Sequence, residues 1–419
     1  MSKGDERRGD AAHFSVEKRV ASPFLAVLFS CALALVGLGS GWRTRRAATV
    51  LFAGVALVYG LGCDGSARRL TGVGDANRAD LRAQSNSAMS PDETMTPPSS
   101  PELSIVLVTT SVANIRKVLR CYRVQGDPAR LEIVVVALAG TTISPDPIVS
   151  LGFPHVRTLA VASNDIGRAE EQAVHAATAP FVVFAQAHAY PRAGFVDAIL
   201  ARARSGRWTV VGPAMANANP RSLVSRAAMS IHYGSWSDRS PRGPAASVPG
   251  HHSAYDRRAL LALGDELSRR LDAGSALQEA LRARGGALFL EPAACVEIVN
   301  ISRLWSYLDD QFLQSIKFAR MRRRGWSTAR RLLYVAGAPL IPAVRLVRIL
   351  ADLRRDGRLH EVWRALPVLL AGLTLSATGE CLGYAADVAP RRADTALARL
   401  RYVRPTDRQH EMDESTWPA

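Results

Sequence analysis

The run from Phe181 to Pro191, FVVFAQAHAYP, restricts the fold of this chain more than any other stretch. Its first half is continuously apolar and has the length of a buried β-strand, and it ends abruptly at Gln186 and His188. In open α/β sheets, ligands bind in the crevice beyond the carboxyl ends of the strands. We therefore predict that this strand lies within a sheet and that Gln186 and His188 lie at its functional edge.

Other apolar, β-branched runs flank this strand at intervals that leave room for helices. Asn164 or Asp165 is suited to be the N-cap of the helix that leads into Phe181. The alternation of strands and helices predicts a right-handed parallel sheet. The further strands are predicted at 103–110, 131–136, 208–213 and 287–292, and the helices at about 115–124, 165–177 and 275–284.

Two apolar runs near the N-terminus, at 24–41 and 47–62, are close to the length that a membrane-spanning helix needs, ~17–25 residues. Arginines separate the runs, so the pair predicts a membrane hairpin; a cleaved signal peptide is the alternative for the first run. More basic residues flank the hairpin than occupy its turn. This distribution favours a topology with both ends in the cytoplasm.

The net charge of +16 over 419 residues indicates an anionic partner. Between 303 and 358, arginines alternate with aliphatic and aromatic side chains, and helical spacing places Leu346, Ile349 and Leu353 on one side. That pattern is typical of a helix at a membrane interface. Because no nucleic-acid motif is present, we predict anionic membrane lipids as partners and no nucleic acid. The five cysteines show no metal-binding spacing, which fits a reducing compartment.

These patterns divide the chain into six parts. They are a polar N-terminus at 1–20, a transmembrane hairpin at 21–63, a disordered linker at 64–101, an α/β domain at 102–302, basic amphipathic and membrane-associated helices at 303–387, and a disordered tail at 388–419.

With its segments in this order, the chain resembles the family 2 glycosyltransferases of the membrane-associated bacterial type. The resemblance spans roughly Leu103 to Asn300 and depends on the order and spacing of several short segments. They are SIVLVTT at 104–110, EIVVV at 132–136, APFVVF at 179–184, VGP at 211–213, and LRARGG at 281–286 leading into EPA at 291–293.

This resemblance implies the GT-A fold, a Rossmann-like mixed α/β sheet with flanking helices that binds a nucleotide-sugar donor. It implies a membrane-anchored enzyme of the hexosyltransferase type, acting on a lipid-linked or cell-surface glycan acceptor. The expected location is the bacterial inner membrane, with the main domain facing the cytoplasm. The alternative is a catalytically degenerate pseudo-glycosyltransferase that serves as a membrane-bound binding or scaffold protein.

The resemblance also implies three acidic positions. In this family a carboxylate after the second strand holds the nucleotide, a D-x-D-like motif holds Mg²⁺ or Mn²⁺, and a later carboxylate deprotonates the acceptor. The matching positions here are the apolar 137–139, Gln186-Ala187-His188 and Asp272. On this basis, Asp272 and His188 are the expected catalytic residues, and His188 is the expected metal ligand.

Six further side chains are predicted to contact substrate: Thr109, Gln186, His251, His252, Arg257 and Arg258. The two histidines match a segment that lines the acceptor side in these transferases, and arginine pairs are suited to a diphosphate where a metal ion is lost. Simpler alternatives are a structural His188, exposed loop histidines, and a solvated charge cluster around Asp272.

Overall fold

The computed structural model describes residues 100–138, 141–162, 165–271 and 274–385. The predicted N-terminal hairpin at 21–63, the linker as far as residue 99 and the predicted tail at 388–419 lie outside the described residues. These parts of the domain division stay predictions.

Within the described residues, nine strands form one mixed sheet in the order β3-β2-β1-β4-β8-β6-β9-β5, and β7 pairs with β9 outside this path. The strands are β1 (Leu103–Thr109), β2 (Leu131–Ala137), β3 (His155–Ala160), β4 (Phe181–Ala185), β5 (Ala189–Pro191), β6 (Val210–Asn217), β7 (Gly243–Pro244), β8 (Ala254–Asp256) and β9 (Leu288–Ile298).

The predicted parallel sheet is confirmed for its first half. Strand β1 lies between β2 and β4, and Leu103 is in register with Leu131 on one side and Phe181 on the other. The short β8 then runs antiparallel between β4 and β6, so the sheet becomes mixed at this point. Strands β6 and β9 are parallel to each other, with a register shift between Pro213 and Ala214.

Helices cover both faces of the sheet and continue beyond it. They are α1 (Val112–Arg123), α2 (Asp146–Val149), α3 (Ile166–Ala176), α4 (Phe195–Ala203), α5 (Leu223–Tyr233), α6 (Arg257–Leu261), α7 (Leu267–Leu271), α8 (Gly274–Ala283), α9 (Leu304–Arg322), α10 (Thr328–Gly337), α11 (Ile341–Arg355), α12 (Leu359–Val362) and α13 (Leu366–Ala385).

The two faces of the sheet follow from the alternation of side chains along each strand. On β1, Leu103 and Ile105 join the apolar layer under α1 and α4, whereas Val106 joins the layer under α3, α7 and α8. Asp165 precedes the first residue of helix α3, and its carboxylate accepts a hydrogen bond from the Arg168 amide at 3.1 Å. The predicted N-cap is therefore confirmed at Asp165.

Helices α9 to α13 form a C-terminal helical module that also packs against α5. Helices α9 and α13 approach closely because glycines on α13 face α9: a Cβ at Gly379 would lie 2.4 Å from the carbonyl oxygen of Phe312. Around α13 lie α5, α9, α10 and α11. Helix α13 is thus the centre of the module.

Two stretches in the described residues are long and apolar enough to cross a membrane, Thr328–Arg355 and Leu359–Ala385. They differ in their surroundings: 22% of the most apolar window in the first is buried, against 56% in the second. The second includes α13, so its length and hydropathy are also explained by its central place in the module. The first exposes Leu332, Leu333 and Val347, which are 62%, 53% and 58% exposed.

Candidate functional site

The candidate site lies at the carboxyl edge of the sheet, where β1, β2 and β4 end side by side at Thr109, Ala137 and Ala185. The β4 strand continues into Gln186 and His188, as the sequence predicts. Because β8 is antiparallel to β4, the segment that precedes β8, with His251 and His252, reaches the same edge. Several of the predicted substrate residues are thereby brought to one place.

Thr109 shapes the turn from β1 into α1. Its hydroxyl group donates to the Ser111 carbonyl oxygen at 2.9 Å and accepts from the Ser111 amide at 3.2 Å. The side chain is buried, and α1 begins immediately afterwards. Its position brings the amino end of α1, with the positive end of the helix dipole, to the candidate site.

His252 differs from the expected exposed loop histidine. It is fully buried, and its backbone φ of 61° lies in the left-handed region. Its amide donates to the Phe184 carbonyl oxygen at 2.9 Å, and its ring Nε2 accepts from the Gln186 amide at 3.0 Å. The pairing of β8 with β4 is continued in this way by one main-chain bond and one side-chain bond.

The second ring nitrogen of His252 lies 3.2 Å from the Tyr122 hydroxyl group. Since Nε2 accepts a hydrogen bond from the Gln186 amide, the neutral ring carries its hydrogen on Nδ1, which donates to Tyr122. Burial, with a smaller contribution from His251, lowers the pKa of His252 to about 3. The neutral ring of His252 therefore holds the end of β4, and both ring nitrogens form hydrogen bonds within the protein.

Gln186 has the one buried side-chain atom without a hydrogen-bond partner in the part of the chain that the structure describes, its Oε1. A buried acceptor without a partner costs about 1–3 kcal/mol. Its neighbour His188 is half-buried, and the His188 carbonyl oxygen accepts from the Val299 amide at 2.9 Å. A ligand that supplied a donor to Oε1 would recover this free energy.

Arg257 and Arg258 lie at the opposite edge of the sheet from Gln186, and their predicted contact with a diphosphate stays a prediction. The Arg257 amide donates to Pro180, at the amino end of β4, and its guanidinium donates to the carbonyl oxygens of Val174 and His175 at the end of α3. Because β8 runs antiparallel to β4, the residues after β8 are carried away from the carboxyl edge.

Two sequence candidates remain, His251 and Asp272. His251 is half-buried next to His252. Asp272, the expected base, lies outside the described residues, just before α8. Their roles stay predictions.

The described residues do not fit a divalent metal ion at this edge. Among them, no group of three His, Cys, Asp or Glu side chains is arranged to hold a metal. The end of β4 offers the neutral oxygen of Gln186 and the ring of His188, whereas Mg²⁺ and Mn²⁺ prefer carboxylates. The expected role of His188 as a metal ligand therefore has no support from its described neighbours.

Sequence reasoning missed two residues that support the site, Tyr122 and Gln278. Tyr122 continues the buried stripe of α1 through Ile115 and Leu119, so its helical spacing was the available signal. Gln278 is buried on α8 and binds both main-chain groups of Val248, at 3.1 Å to the amide and 2.8 Å to the carbonyl oxygen. It thereby fixes the loop that leads into His251.

A cavity of about 330 Å³ opens at the other edge of the sheet, beside Glu132, His155, Arg157 and Thr178. The Glu132 carboxylate accepts hydrogen bonds from Ser104 at 2.5 Å, Arg157 at 2.7 Å and the Thr178 amide at 2.7 Å. Burial alone raises the pKa of Glu132, but these hydrogen bonds outweigh it and hold the pKa below its usual value. The carboxylate therefore has a structural role, because its hydrogen bonds join groups of the protein itself.

No protein-family model matches this chain, and no curated protein matches it. Weakly similar solved structures include residues 1–349 of S. aureus TarS, at 15% identity over 67% of this chain and 90% of that one, with a TM-score of 0.37. Another is the mannosyltransferase PcManGT from Pyrobaculum calidifontis in complex with GDP-Man and Mn2+, at 17% identity over 84% and 96%, with a TM-score of 0.39. Likenesses this distant do not establish a family or an activity for this chain.

Proposed function

We propose that this protein is a membrane-anchored glycosyltransferase that moves a sugar from a nucleotide-sugar donor to a lipid-linked or cell-surface glycan acceptor. The observation that carries the proposal is the buried, unpartnered Oε1 of Gln186 at the carboxyl end of β4. Ligands of α/β sheets bind at such an edge, and a sugar or ribose hydroxyl group is a suitable donor to this oxygen. The reaction class comes from the resemblance of the segments between Leu103 and Asn300 to those of family 2 glycosyltransferases.

The residues take the following roles in this proposal. Gln186 positions the donor, and His252 fixes the main chain of Gln186. Asp272 accepts the proton of the acceptor hydroxyl group while the oxygen of that hydroxyl group bonds to the donor sugar carbon. The bond between this carbon and the diphosphate breaks, and the nucleoside diphosphate leaves with its electrons. His188 and His251 lie at the same edge and are proposed to contact the reacting groups. The protein acts at the cytoplasmic face of the bacterial inner membrane.

Calorimetry on the full-length protein in detergent tests the donor site with UDP, GDP and their sugar conjugates, each with and without Mn²⁺ or Mg²⁺. We expect a nucleotide sugar to bind without added metal, because the described residues do not fit an ion. Metal-dependent binding would overturn that part and would direct attention to Asp272. If no nucleotide binds to the folded protein, the pseudo-glycosyltransferase becomes the better description.

The matched variants are Gln186→Leu and Arg258→Ala. Leucine keeps the approximate size of Gln186 but removes the acceptor, so we expect donor affinity to fall at least 10-fold, about 1.4 kcal/mol. Arg258 is exposed at the opposite edge, so its loss should leave affinity unchanged. Equal donor affinities in the wild type and both variants would show that Gln186 does not contact the donor. Activity that arises only in Gln186→Glu/Ala187→Asp would show that the natural site is degenerate.

A further inference from the structure

The outer face of α10 and α11 carries apolar side chains that no described residue covers. Leu332 and Leu333 on α10 are 62% and 53% exposed, and Val347 on α11 is 58% exposed. Ala336 and Pro339 lie exposed between them. At ~1.5 Å per helical residue, this stripe extends for about 22 Å. The exposed apolar side chains are therefore spread along both helices and are not confined to one position.

The stripe is free of charge because its one charged residue points inward. Between Arg331 and Arg348 the sequence has a single ionisable side chain that carries charge at neutral pH, Arg345. Its guanidinium forms an ion pair with Glu380 and donates to the Ser376 hydroxyl group at 2.6 Å. Glu380 is 1% exposed and the Arg345 side chain is 33% exposed, so the pair holds Arg345 against α13. The ion pair keeps Arg345 off the outer face.

Arginines stand at both ends of the stripe. At one end, Arg330 is exposed and its guanidinium lies 4.3 Å from the centre of the Trp326 ring. At the other end, Arg348 and Arg354 are exposed on α11. An apolar stripe flanked by arginine and tryptophan matches the layering of a bilayer surface, where basic and aromatic groups lie at the headgroups and aliphatic groups reach the acyl chains.

We propose that the outer face of α10 and α11 lies flat in the interface of an anionic lipid bilayer, with Leu332, Leu333 and Val347 in the outer acyl region and the flanking arginines at the phosphates. This inference rests on the membrane association in the proposed function and assigns it a surface. A second copy of the chain fits the face less well, because it would bring the same arginines together in a protein of net charge +16.

A crossing helix also fits the face less well than a helix lying in the interface. The stretch Thr328–Arg355 is interrupted by the 3-10 turn Ala338–Leu340, and the Arg345–Glu380 ion pair attaches it along α13. Interfacial helices combine an apolar face with a basic one, and their binding depends on anionic lipids.

Photo-crosslinking tests the surface in the full-length protein reconstituted in lipid nanodiscs. Leu333 or Val347 is replaced by the benzophenone amino acid p-benzoylphenylalanine, and Val149 is replaced in the same way as a control of similar exposure, 50%, on α2. We expect lipid adducts at positions 333 and 347 at least 5-fold above those at 149. Equal yields at all three positions, or adducts to a second copy of the chain, would overturn the proposal.

The chemistry of the adducts distinguishes the remaining arrangements. Attachment near the glycerol end of the acyl chains supports a shallow helix, whereas attachment near the terminal methyl groups would indicate a crossing helix and overturn it. Nanodiscs of phosphatidylcholine alone should give at least 3-fold fewer adducts than nanodiscs with phosphatidylglycerol, and equal yields would overturn the anionic preference.

Sugar transfer measured in the same nanodiscs separates the two proposals. Adducts without sugar transfer would support the membrane surface and count against the transferase. Sugar transfer without adducts would support the transferase and overturn the membrane surface.

Discussion

At the scale of single residues, His252 determines how the end of β4 is held. Its neutral ring accepts from the Gln186 amide and donates to Tyr122. A buried histidine whose pKa is depressed in the folded state binds a proton more readily when the chain unfolds. Stability is therefore unaffected above the unfolded pKa of about 6.5 and falls as the pH drops from there towards about 3.

We predict that His252→Asn removes a large part of this acid sensitivity. Asparagine tolerates the left-handed backbone at this position and does not titrate. Between pH 6 and pH 4, the wild-type free energy of unfolding should fall by up to about 1.4 kcal/mol per pH unit on account of this residue, and the variant should show a shallower slope. Urea unfolding across this pH range measures both slopes. The exposed His360→Asn serves as the control and should keep the wild-type slope; a parallel curve for His252→Asn would refute the assignment.

The sequence predicted Gln186 at a strand end correctly but did not indicate on which edge of the sheet Arg257 lies. The apolar run that begins at Phe181 predicts a buried strand, so the polar residues after it are expected at the carboxyl edge of the sheet. Strand β8 has only the three residues Ala254–Asp256, too few for a periodic pattern. Without β8, the reversal of direction that carries Arg257 to the other edge cannot be inferred.

At the scale of secondary-structure elements, Glu132 joins three strands and the turn before β4. Its carboxylate accepts from Ser104 on β1, Arg157 on β3, and the amide and hydroxyl groups of Thr178. The pKa of Glu132 is lowered, so its contribution to stability is present above the unfolded pKa of about 4.3 and is lost as the pH falls below it.

We predict that Glu132→Gln lowers the free energy of unfolding by about 1–3 kcal/mol, because the neutral amide cannot accept from all of these donors. Urea unfolding at pH 7 measures the loss, and the difference from wild type should shrink as the pH is lowered through 4. The exposed Glu279→Gln is the matched control and should change stability by less than about 0.5 kcal/mol. Equal stability of the two variants at pH 7 would contradict the role of Glu132.

The contact between α9 and α13 depends on the absence of a side chain at Gly379. A Cβ there would lie 2.4 Å from the backbone oxygen of Phe312, and a backbone atom cannot turn aside. We expect Gly379→Ala to destabilise the helical module by about 1–3 kcal/mol. Gly234→Ala is the control, because a Cβ at Gly234 has open space around it. Thermal unfolding followed by circular dichroism compares them, and a Gly379→Ala variant as stable as the control would show that the helices adjust freely.

The predictability of these elements follows their length and apolar pattern. Strands β1, β2 and β4 are long, buried and β-branched, and they are correctly predicted, as is α3 with its cap at Asp165. Strand β3 is half-buried at the sheet edge and was not predicted. The candidate interfacial helix around Leu346 is a helix in the structure, but Ile349 and Leu353 face the protein core. Periodicity identified an apolar side without identifying what that side contacts.

At the scale of the whole molecule, the helical module is tied to the loop that follows α5. Ser237 donates to the Asp356 carboxylate at 2.5 Å, Arg239 donates to the Asp356 carbonyl oxygen at 3.1 Å, and Ser235 donates to Asp352 at 2.7 Å. Ser237 is fully buried and Asp356 is nearly so. The end of α11 is therefore attached to the sheet domain by three hydrogen bonds, of which the one between Ser237 and Asp356 is buried.

We predict that Asp356→Ala loosens this attachment, because it leaves the buried Ser237 hydroxyl group without its acceptor and deprives Arg355 of an ion-pair partner. Hydrogen exchange of residues 235–240 should become at least 10-fold faster, equivalent to about 1.4 kcal/mol of local stability. Asp265→Ala, an exposed carboxylate on the sheet domain, is the control. Unchanged exchange in the Asp356 variant would show that the loop holds its position without the module.

The central place of α13 also fixes an order of events during synthesis of the chain. Leu369 and Leu373 of α13 cover Val224 and Ala227 of α5, which the ribosome produces more than a hundred residues earlier. The sheet domain can fold as it is made, since domains generally fold as units from the N-terminal side. The apolar sides of α5 and α9 stay uncovered until α13, which ends at Ala385, has been synthesised. At a synthesis rate of ~5–20 residues per second, the nascent chain therefore exposes this apolar surface for several seconds.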